Sequence, residues 1–254
     1  MSQVPLYDAL AGDYDRFVNW EGRLAHELPF FDRLFAGRDH LDVLDAACGT
    51  GHHAIALARK GHHVVGTDLS GAMIERAREN AASAGVDAAF GDVGLGSLAT
   101  LGRLFDATLC LGNSLPHLLT SSAVDKALAD FAAVLRPGGL LVIQNRNFDQ
   151  VCTDRDRFMA PQSHKAGDDE WVFVRFYDFD GDTITFNMIR LRRTHDGWAQ
   201  DVGSTTLRPI FRDDLLSRLA TSGFGEAVCY GDYSGAAFDA AESGDLIVVA
   251  RRIS

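Results

Sequence analysis

The residues best suited to chemistry in this chain lie in one glycine-rich stretch. Asp45 ends an apolar run that begins at Leu41, and Gly49 and Gly51 follow it with one residue between them. A buried strand that leads into a tight glycine turn and a helix brings backbone N–H groups close to a ligand, because glycine has no Cβ atom. The stretch therefore predicts a nucleotide-like cofactor in contact with Asp45, Ala47, Gly49 and Gly51.

Two later acids help to define that cofactor. Asp68 closes the second predicted strand, where its carboxylate can accept hydrogen bonds from ribose hydroxyls. Asp92 follows the third strand, where it can accept one from an adenine amino group. The glycine turn with Ala54 also fits the G-x-G-x-x-A dinucleotide fingerprint, so these features are common to NAD and S-adenosylmethionine sites. Asp45 favours S-adenosylmethionine, because an acid there repels a pyrophosphate but suits the ammonium group of a methionine moiety.

Strands and helices alternate around these residues. The predicted strands lie at 41–46, 62–67, 86–90, 105–111 and 140–144, and the helices between them at 52–59, 71–83 and 124–135. Alternation with short loops predicts an α/β fold with a parallel, doubly wound sheet, in which ligands bind outside the carboxyl ends of the strands.

The N-terminal segment, 1–40, predicts two amphipathic helices, the second bent or broken by Pro29. The segment carries Tyr14, Trp20 and Arg23 ahead of the first strand. Two interpretations stay open: the helices cover one face of the sheet, or they form a lid that also touches the ligand.

The C-terminal half adds an insertion and then returns to the core. Residues 168–208 alternate with period two and contain two tight turns, which predicts a three-stranded antiparallel meander inserted after the fifth strand. A helix at 211–221 and strands at 227–230 and 246–249 complete a seven-stranded Rossmann-like sheet. The prediction is a single domain over 1–254 with its cofactor-binding core at 41–148 and its last part at 209–254.

The amino-acid composition limits the classes of partner that this protein is expected to bind. The formal net charge is −11, which argues against a nucleic-acid or anionic membrane surface. The four cysteines lie far apart without a C-x-x-C pair, which fits reduced thiols in a cytoplasmic protein better than a disulfide framework or a zinc site. His62 and His63 are adjacent in a strand and point to opposite faces, so no metal is expected there. The expected partner is a small molecule, and the oligomeric state stays open.

A second phrase points to a family. Leu135-Arg136-Pro137-Gly138-Gly139 stands before the fifth strand, and together with D-x-x-x-G-x-G at Asp45 it resembles the class I S-adenosylmethionine-dependent methyltransferases over residues 41–145. The resemblance implies a Rossmann-like methyltransferase fold and S-adenosyl-L-methionine as cofactor.

A narrower resemblance is carried by the segments after strands four and five. Cys110-Leu111-Gly112-Asn113-Ser114, His117 and Arg146-Asn147-Phe148-Asp149 are similar to glycine N-methyltransferase and its bacterial glycine/sarcosine relatives. The resemblance implies that Asn113 and Arg146 hold the substrate carboxylate. It also implies that an early arginine and aromatics lie at the cofactor and the methyl-transfer centre, with Tyr14, Trp20 and Arg23 as candidates beside Leu111 and His117. The family's Asn-Trp after strand three is Asp92-Val93 here, and its Arg-Asn-Tyr-Asp has Phe148 for tyrosine.

Each acceptor-side residue also has a structural alternative. Arg146 can pair with Asp149 or another surface acid, although guanidinium suits bidentate recognition of a carboxylate. Asn113 can cap a short helix, and His117 can contact the cofactor carboxylate, act as a base or be structural.

These observations favour one function over three others. The leading hypothesis is an enzyme that methylates the amine of glycine, sarcosine or dimethylglycine by in-line displacement. The alternatives are a methyltransferase with another small N or O acceptor, an NAD-dependent oxidoreductase, and a protein that binds the cofactor without turnover.

Overall fold

The computed structural model describes residues 4–253 and contains two sheets within that range. Its strands are β1 (Asp42–Ala46), β2 (His63–Thr67), β3 (Ala89–Gly91), β4 (Phe105–Cys110), β5 (Leu135–Arg146), β6 (Gln162–Ala166), β7 (Asp169–Asp180), β8 (Thr183–Thr194), β9 (Gly197–Leu207), β10 (Phe224–Tyr230) and β11 (Asp245–Arg252). Its α-helices are α1 (Pro5–Phe17), α2 (Trp20–Leu34), α3 (His52–Arg59), α4 (Gly71–Ala84), α5 (Ser121–Val134), α6 (Phe148–Asp154) and α7 (Arg212–Thr221). None of the helices in this range is both long and apolar enough to cross a bilayer.

The main sheet confirms the doubly wound prediction. Its strand order is β10-β11-β5-β4-β1-β2-β3, with parallel pairing from β5 through β3 and antiparallel pairing of β11 with both β5 and β10. The strand order reverses between β1 and β4, so the carboxyl ends of these strands open a crevice at one edge of the sheet.

Helices cover both faces of this sheet, and neighbouring residues of β1 show how. Val43 packs into a cluster with Phe31 and Leu57 from α2 and α3, whereas Leu44 packs into the opposite cluster with Phe131 from α5. Successive side chains of a strand point to opposite faces, so a strand apolar at every position is buried on both sides. Because β1 is packed on both faces, the position of Asp45, the next residue, is fixed at the carboxyl-end edge of the sheet.

The predicted break of the second helix at Pro29 does not occur, and the bend stays a prediction. Helix α2 runs without a break from Trp20 to Leu34 with Pro29 inside it. Proline removes one hydrogen bond, but Phe30 and Phe31 directly after it are buried in the core, and this burial outweighs the loss.

The inserted sheet has one strand more than the three predicted. Its order is β6-β7-β8-β9, all antiparallel, and the extra strand is β6, which pairs with the start of β7. β6 reads Gln-Ser-His-Lys-Ala, which lacks the apolar alternation that identified the other three.

Helix α1 lies between the core and the inserted sheet. Leu10 packs with Trp171, Phe173 and Met188 of that sheet, and Asp13 accepts a 2.8 Å hydrogen bond from Arg190. The opposite side of the helix contacts α4 of the core. This helix therefore links the sheet that holds the glycine turn to the sheet inserted after β5.

Candidate functional site

The glycine turn puts a buried acid at the centre of the crevice. Asp45 is 1% exposed, and its Oδ2 atom has no hydrogen-bond partner among the described residues. Burial raises the pKa of Asp45 to about 6. Ala47 has a φ angle of 59° although it is not glycine, a strained conformation of the kind found where backbone serves a ligand.

The two glycines of the turn have different structural roles. A Cβ atom at Gly51 (φ 81°) would lie 2.9 Å from the Ala77 Cβ atom and from the Phe90 ring, so Gly51 allows α3 to pack closely on its neighbours. A Cβ atom at Gly49 (φ 54°) would meet only Tyr14, at 3.9 Å, and Gly49 faces open space.

We therefore expect Gly51→Ala to lower stability and Gly49→Ala to lower cofactor affinity. The Gly51 change combines a left-handed alanine with a steric clash, at a total cost of about 2–4 kcal/mol. The Gly49 change costs about 1–2 kcal/mol of backbone strain but puts a methyl group at the ligand surface. Urea unfolding and titration with S-adenosylhomocysteine separate the two effects, and equal losses of affinity would contradict this division.

Asp68 is held in place by backbone groups. The N–H of Gly49 donates to its Oδ2 atom and the N–H of Ser70 to its Oδ1 atom, both at 2.9 Å. Burial raises the pKa of this carboxyl, and Asp68 lines the crevice. Each oxygen keeps a lone pair for a further donor.

A cavity of about 590 Å³, here called the glycine-turn cavity, opens at these residues. Nine of the residues predicted at the site line it: Tyr14, Trp20, Arg23, Asp45, Ala47, Gly49, Asp68, Leu111 and His117. Gly51 is packed behind the turn, and Asp92 is exposed outside the lining, so the contacts predicted for these two stay predictions.

The sequence did not reveal part of this lining. Leu69, Val93 and Leu95 form an apolar side, and Thr205 and Thr206 reach the cavity from β9 of the inserted sheet. Leu69 and Val93 directly follow Asp68 and Asp92, and Leu95 lies two residues further on, so their position after two strand ends was a usable signal. The threonines arrive through tertiary packing and had no signal in the sequence.

Asp15 fastens α1 to the glycine turn. Its carboxylate accepts hydrogen bonds from Thr50 at 2.6 Å, His52 at 3.0 Å, Asn80 at 3.0 Å and Arg76 at 3.1 Å, and also from the indole of Trp20. Trp20 in turn stacks on His52, with ring centroids 4.5 Å apart. The N-terminal helices are therefore joined to the glycine turn by one partly buried anion.

We expect Asp15→Asn to lower the free energy of unfolding by about 2–3 kcal/mol, because several donors lose a charged acceptor at once. Burial alone would raise the pKa of Asp15, but the hydrogen bonds from His52, Thr50 and Asn80 outweigh it and hold the pKa well below its usual range. A depressed folded-state pKa stabilises the fold above the unfolded pKa of about 4, and this stabilisation is lost as the pH falls below it. The gap between wild type and variant should therefore shrink in acid.

Urea unfolding at several pH values measures this gap, and the exposed Glu21→Gln in α2 is the matched control. A difference between wild type and Asp15→Asn that does not change between pH 7 and pH 3 would contradict the role of Asp15.

A second cavity, about 800 Å³ and here called the Arg146 cavity, is lined by residues of α1, of the inserted sheet and of the ends of β4 and β5. Asn113 and Arg146 line it at the ends of β4 and β5. The Asn113 Oδ1 atom accepts the backbone N–H of Arg146 at 3.0 Å, and Asn113 has a φ angle of 66°. The carboxamide nitrogen of Asn113 is thus directed away from this bond and is available to a ligand.

Arg146 pairs with Asp245 and not with Asp149. Arg146 on β5 and Asp245 on β11 are register partners, and the Arg146 Nη1 atom lies 3.5 Å from the Asp245 Oδ1 atom. Asp149 instead accepts the backbone N–H of Arg212. The Arg146 side chain is 47% exposed, so its guanidinium remains accessible from the cavity.

The two cavities meet at a shared wall formed by Tyr7, Tyr14, Arg23, Gly112 and His117. The Tyr7 hydroxyl and the His117 Nε2 atom are hydrogen bonded at 2.9 Å. Burial lowers the pKa of His117 to about 4 and raises the pKa of Tyr7 and Tyr14. The wall is therefore neutral near pH 7 except at Arg23, whose charge is paired with Glu27 at 2.7 Å.

The residues described contain no group of three or more His, Cys, Asp or Glu side chains placed to hold a metal ion. His53 instead bonds Glu27, and His52 bonds Asp15.

Comparison with known proteins decides the family. The "Methyltransferase domain" family matches residues 43–139. The chain is 32% identical to the glycine/sarcosine N-methyltransferase of Halorhodospira halochloris over 199 residues, which cover 74% of each protein. The chain belongs to the class I S-adenosylmethionine-dependent methyltransferases. Within that class it is similar to the glycine/sarcosine group.

Solved structures agree on the fold. A methyltransferase from Clostridium acetobutylicum superposes with a TM-score of 0.78 over 98% of this chain and 99% of that one, at 17% identity. CalS10, an amino pentose methyltransferase from Micromonospora echinaspora, superposes with a TM-score of 0.71 at 26% identity, over 95% of each chain.

The glycine-turn cavity fits the cofactor of this enzyme class, S-adenosyl-L-methionine. The unpartnered oxygen of Asp45 is a buried acceptor that a ligand ammonium would satisfy, and a buried polar atom without a partner is costly otherwise. Asp68 offers acceptors for hydroxyls, and the open face of Gly49 leaves room for close approach of a ligand.

Proposed function

We propose that this methyltransferase transfers the methyl group to the amine of a small carboxylated acceptor of the glycine, sarcosine or dimethylglycine type. The observation that carries the proposal is the Arg146 cavity, which offers a guanidinium and a carboxamide and shares one wall with the glycine-turn cavity. The relative from Halorhodospira halochloris is named for glycine and sarcosine.

In this proposal the residues of the glycine-turn cavity orient the donor. Asp45 binds the ammonium group, Asp68 accepts from the ribose hydroxyls, and Trp20 and Arg23 cover the site from α2. When bound, S-adenosylmethionine supplies a methyl group already activated by its sulfonium, so the protein needs no strong acid or base to activate it.

Asn113 and Arg146 hold the acceptor carboxylate, and the amine then faces the shared wall at Tyr14. Proximity and alignment of this kind contribute roughly 7–11 kcal/mol to well-oriented reactions. The nucleophile must be a neutral amine, since an ammonium has no lone pair. His117 is a poor candidate for its base, because a pKa of about 4 lies far below that of an amine.

Mass analysis of products tests the proposal. The enzyme is incubated with S-adenosylmethionine and, in separate reactions, with glycine, sarcosine, dimethylglycine and a free amino sugar. A mass gain of one or more methyl groups on the first three supports the proposal, and the absence of transfer to all three contradicts it.

An amino sugar is a second candidate acceptor because of the size of the Arg146 cavity. Its volume of about 800 Å³ is far larger than glycine requires and lies in the range of roughly 300–1,000 Å³ seen for larger ligands. CalS10 is an amino pentose methyltransferase of the same fold. Methylation of the amino sugar without methylation of the amino acids would select this candidate.

A cytoplasmic location stays a prediction.

A further inference from the structure

One side chain in the Arg146 cavity has no assigned role. Arg175 on β7 lines this cavity, and its Nε atom is buried without a hydrogen-bond partner among the residues described. Its guanidinium lies over the ring of Phe17, with the Cζ atom 5.0 Å from the ring centroid. The residue is partly buried, and a fully buried N–H donor without a hydrogen-bond partner is costly, so the retention of this cation in the cavity calls for a ligand that pairs with it.

Its place on the inserted sheet makes this cation unusual. Side chains of a strand alternate between faces, so Trp171, Phe173, Arg175 and Tyr177 share one face of β7. The three aromatic side chains are buried in apolar clusters on that face. The single arginine falls between those clusters, where the face borders the Arg146 cavity.

Charges around Arg175 leave it without an acid of its own. Glu27 is engaged by Arg23 and His53, and Asp245 is paired with Arg146. Two further acids of the same cavity, Asp154 and Asp156, are exposed to solvent.

The positive charge of Arg146 adds to the electrostatic cost of Arg175. Burial lowers the pKa of Arg175, and the charge of Arg146 lowers it further. Arg146, Arg175 and Tyr177 line the same cavity. Burial raises the pKa of Tyr177, and both arginines counteract that rise. Two cations that repel each other across a cavity attract an anion placed between them.

We propose that Arg175 is a second acceptor-binding residue, which holds the acceptor carboxylate together with Arg146. This inference rests on the proposed function and assigns the inserted sheet a part in it: the core positions the donor, and the sheet helps to select an acceptor that carries a negative charge. Guanidinium groups suit this role because they bind carboxylates through paired N–H donors.

Titration calorimetry with acetate tests the proposal on enzyme saturated with S-adenosylhomocysteine. Arg175→Met keeps the length of the side chain and its packing on Phe17 but removes the charge. We expect the acetate dissociation constant to rise about 10- to 100-fold, the effect of losing a hydrogen bond to a charged group. Arg175→Lys should restore part of the affinity. Acetamide, which has the same shape without the charge, should bind wild type and Arg175→Met alike.

Arg192→Met is the matched control, because Arg192 belongs to the same sheet but is exposed and paired with Asp169. Equal acetate binding by wild type and Arg175→Met would overturn the proposal, as would the absence of acetate binding to wild type. If Arg175→Met does not fold, equal acetate binding by wild type and Arg175→Lys overturns it, and weaker binding by Arg175→Lys supports it. Failure of the proposed function has a different signature: acetate binding that depends on Arg175, with no methyl transfer to glycine, sarcosine or dimethylglycine.

Discussion

Replacing Arg146 with Met is expected to lower kcat/KM for a carboxylated amine about 100- to 1,000-fold, because one partner of a charged, hydrogen-bonded pair is lost from the reacting complex. Both kcat and KM should change, since an acceptor without its anchor binds weakly and is also poorly aligned. Affinity for S-adenosylhomocysteine should stay nearly constant, because Arg146 lines the Arg146 cavity and not the glycine-turn cavity.

Arg157→Met is the control for this experiment. Arg157 is exposed and donates a hydrogen bond to Asp178. It is adjacent in sequence to residues that line the Arg146 cavity, but it does not line the cavity itself. An Arg146→Met enzyme with wild-type turnover would remove Arg146 from the acceptor site. A parallel loss of cofactor affinity would mean that the variant has disturbed the glycine turn as well.

Replacing Asp45 with Asn is expected to weaken S-adenosylhomocysteine binding by about 2–4 kcal/mol, or about 30- to 1,000-fold. The carboxylate is buried and one of its oxygens has no other partner, so the ligand ammonium is the group that compensates it. Asn is nearly isosteric and keeps an oxygen acceptor, which isolates the effect of the charge.

The same variant should remove a pH dependence. Burial raises the pKa of Asp45 to about 6, so the free enzyme is largely protonated there below pH 6. Binding of an ammonium favours the ionised form, and affinity should therefore rise with pH through about 6 and level off above it. Wild type should show this rise between pH 5 and pH 7, and Asp45→Asn should not.

Asp42→Asn serves as the control, because Asp42 begins the same strand at its opposite end and pairs with Arg103 and Arg136. A wild-type affinity that is flat between pH 5 and pH 7 would contradict the assignment of the ammonium group to Asp45.

The parallel core could be predicted from the sequence because its signals are local. Apolar runs that end in Asp45 and Asp68 identify strands, and each is followed by a helix with its own period. Strand β6 and the unbroken helix α2 could not be predicted in this way. β6 forms only because β7 offers it an edge, and Pro29 is tolerated only because Phe30 and Phe31 are buried against the core.

The residues of the candidate site also fall into those that local sequence signals predict and those that depend on tertiary packing. Residues that follow strand ends, such as Asp45, Asp68, Asn113 and Arg146, can be located from the order of strands, since parallel strands share one carboxyl edge. Asp245 and Arg175 reach the Arg146 cavity from β11 and β7, elements distant in sequence whose pairing is decided by tertiary packing. The sequence does not distinguish Arg175 from the other arginines of the inserted sheet. In the structure its buried Nε atom without a hydrogen-bond partner distinguishes it from Arg190, Arg192 and Arg193, each of which pairs with an acid.

The most direct test of the two-cavity account is a crystal structure of the enzyme with S-adenosylhomocysteine and acetate bound. The account predicts the cofactor ammonium on Asp45, the ribose on Asp68, the sulfur atom facing the shared wall at Tyr14, and the acetate carboxylate on Arg146. Acetate bound elsewhere, or a sulfur atom that faces away from the shared wall, would contradict it.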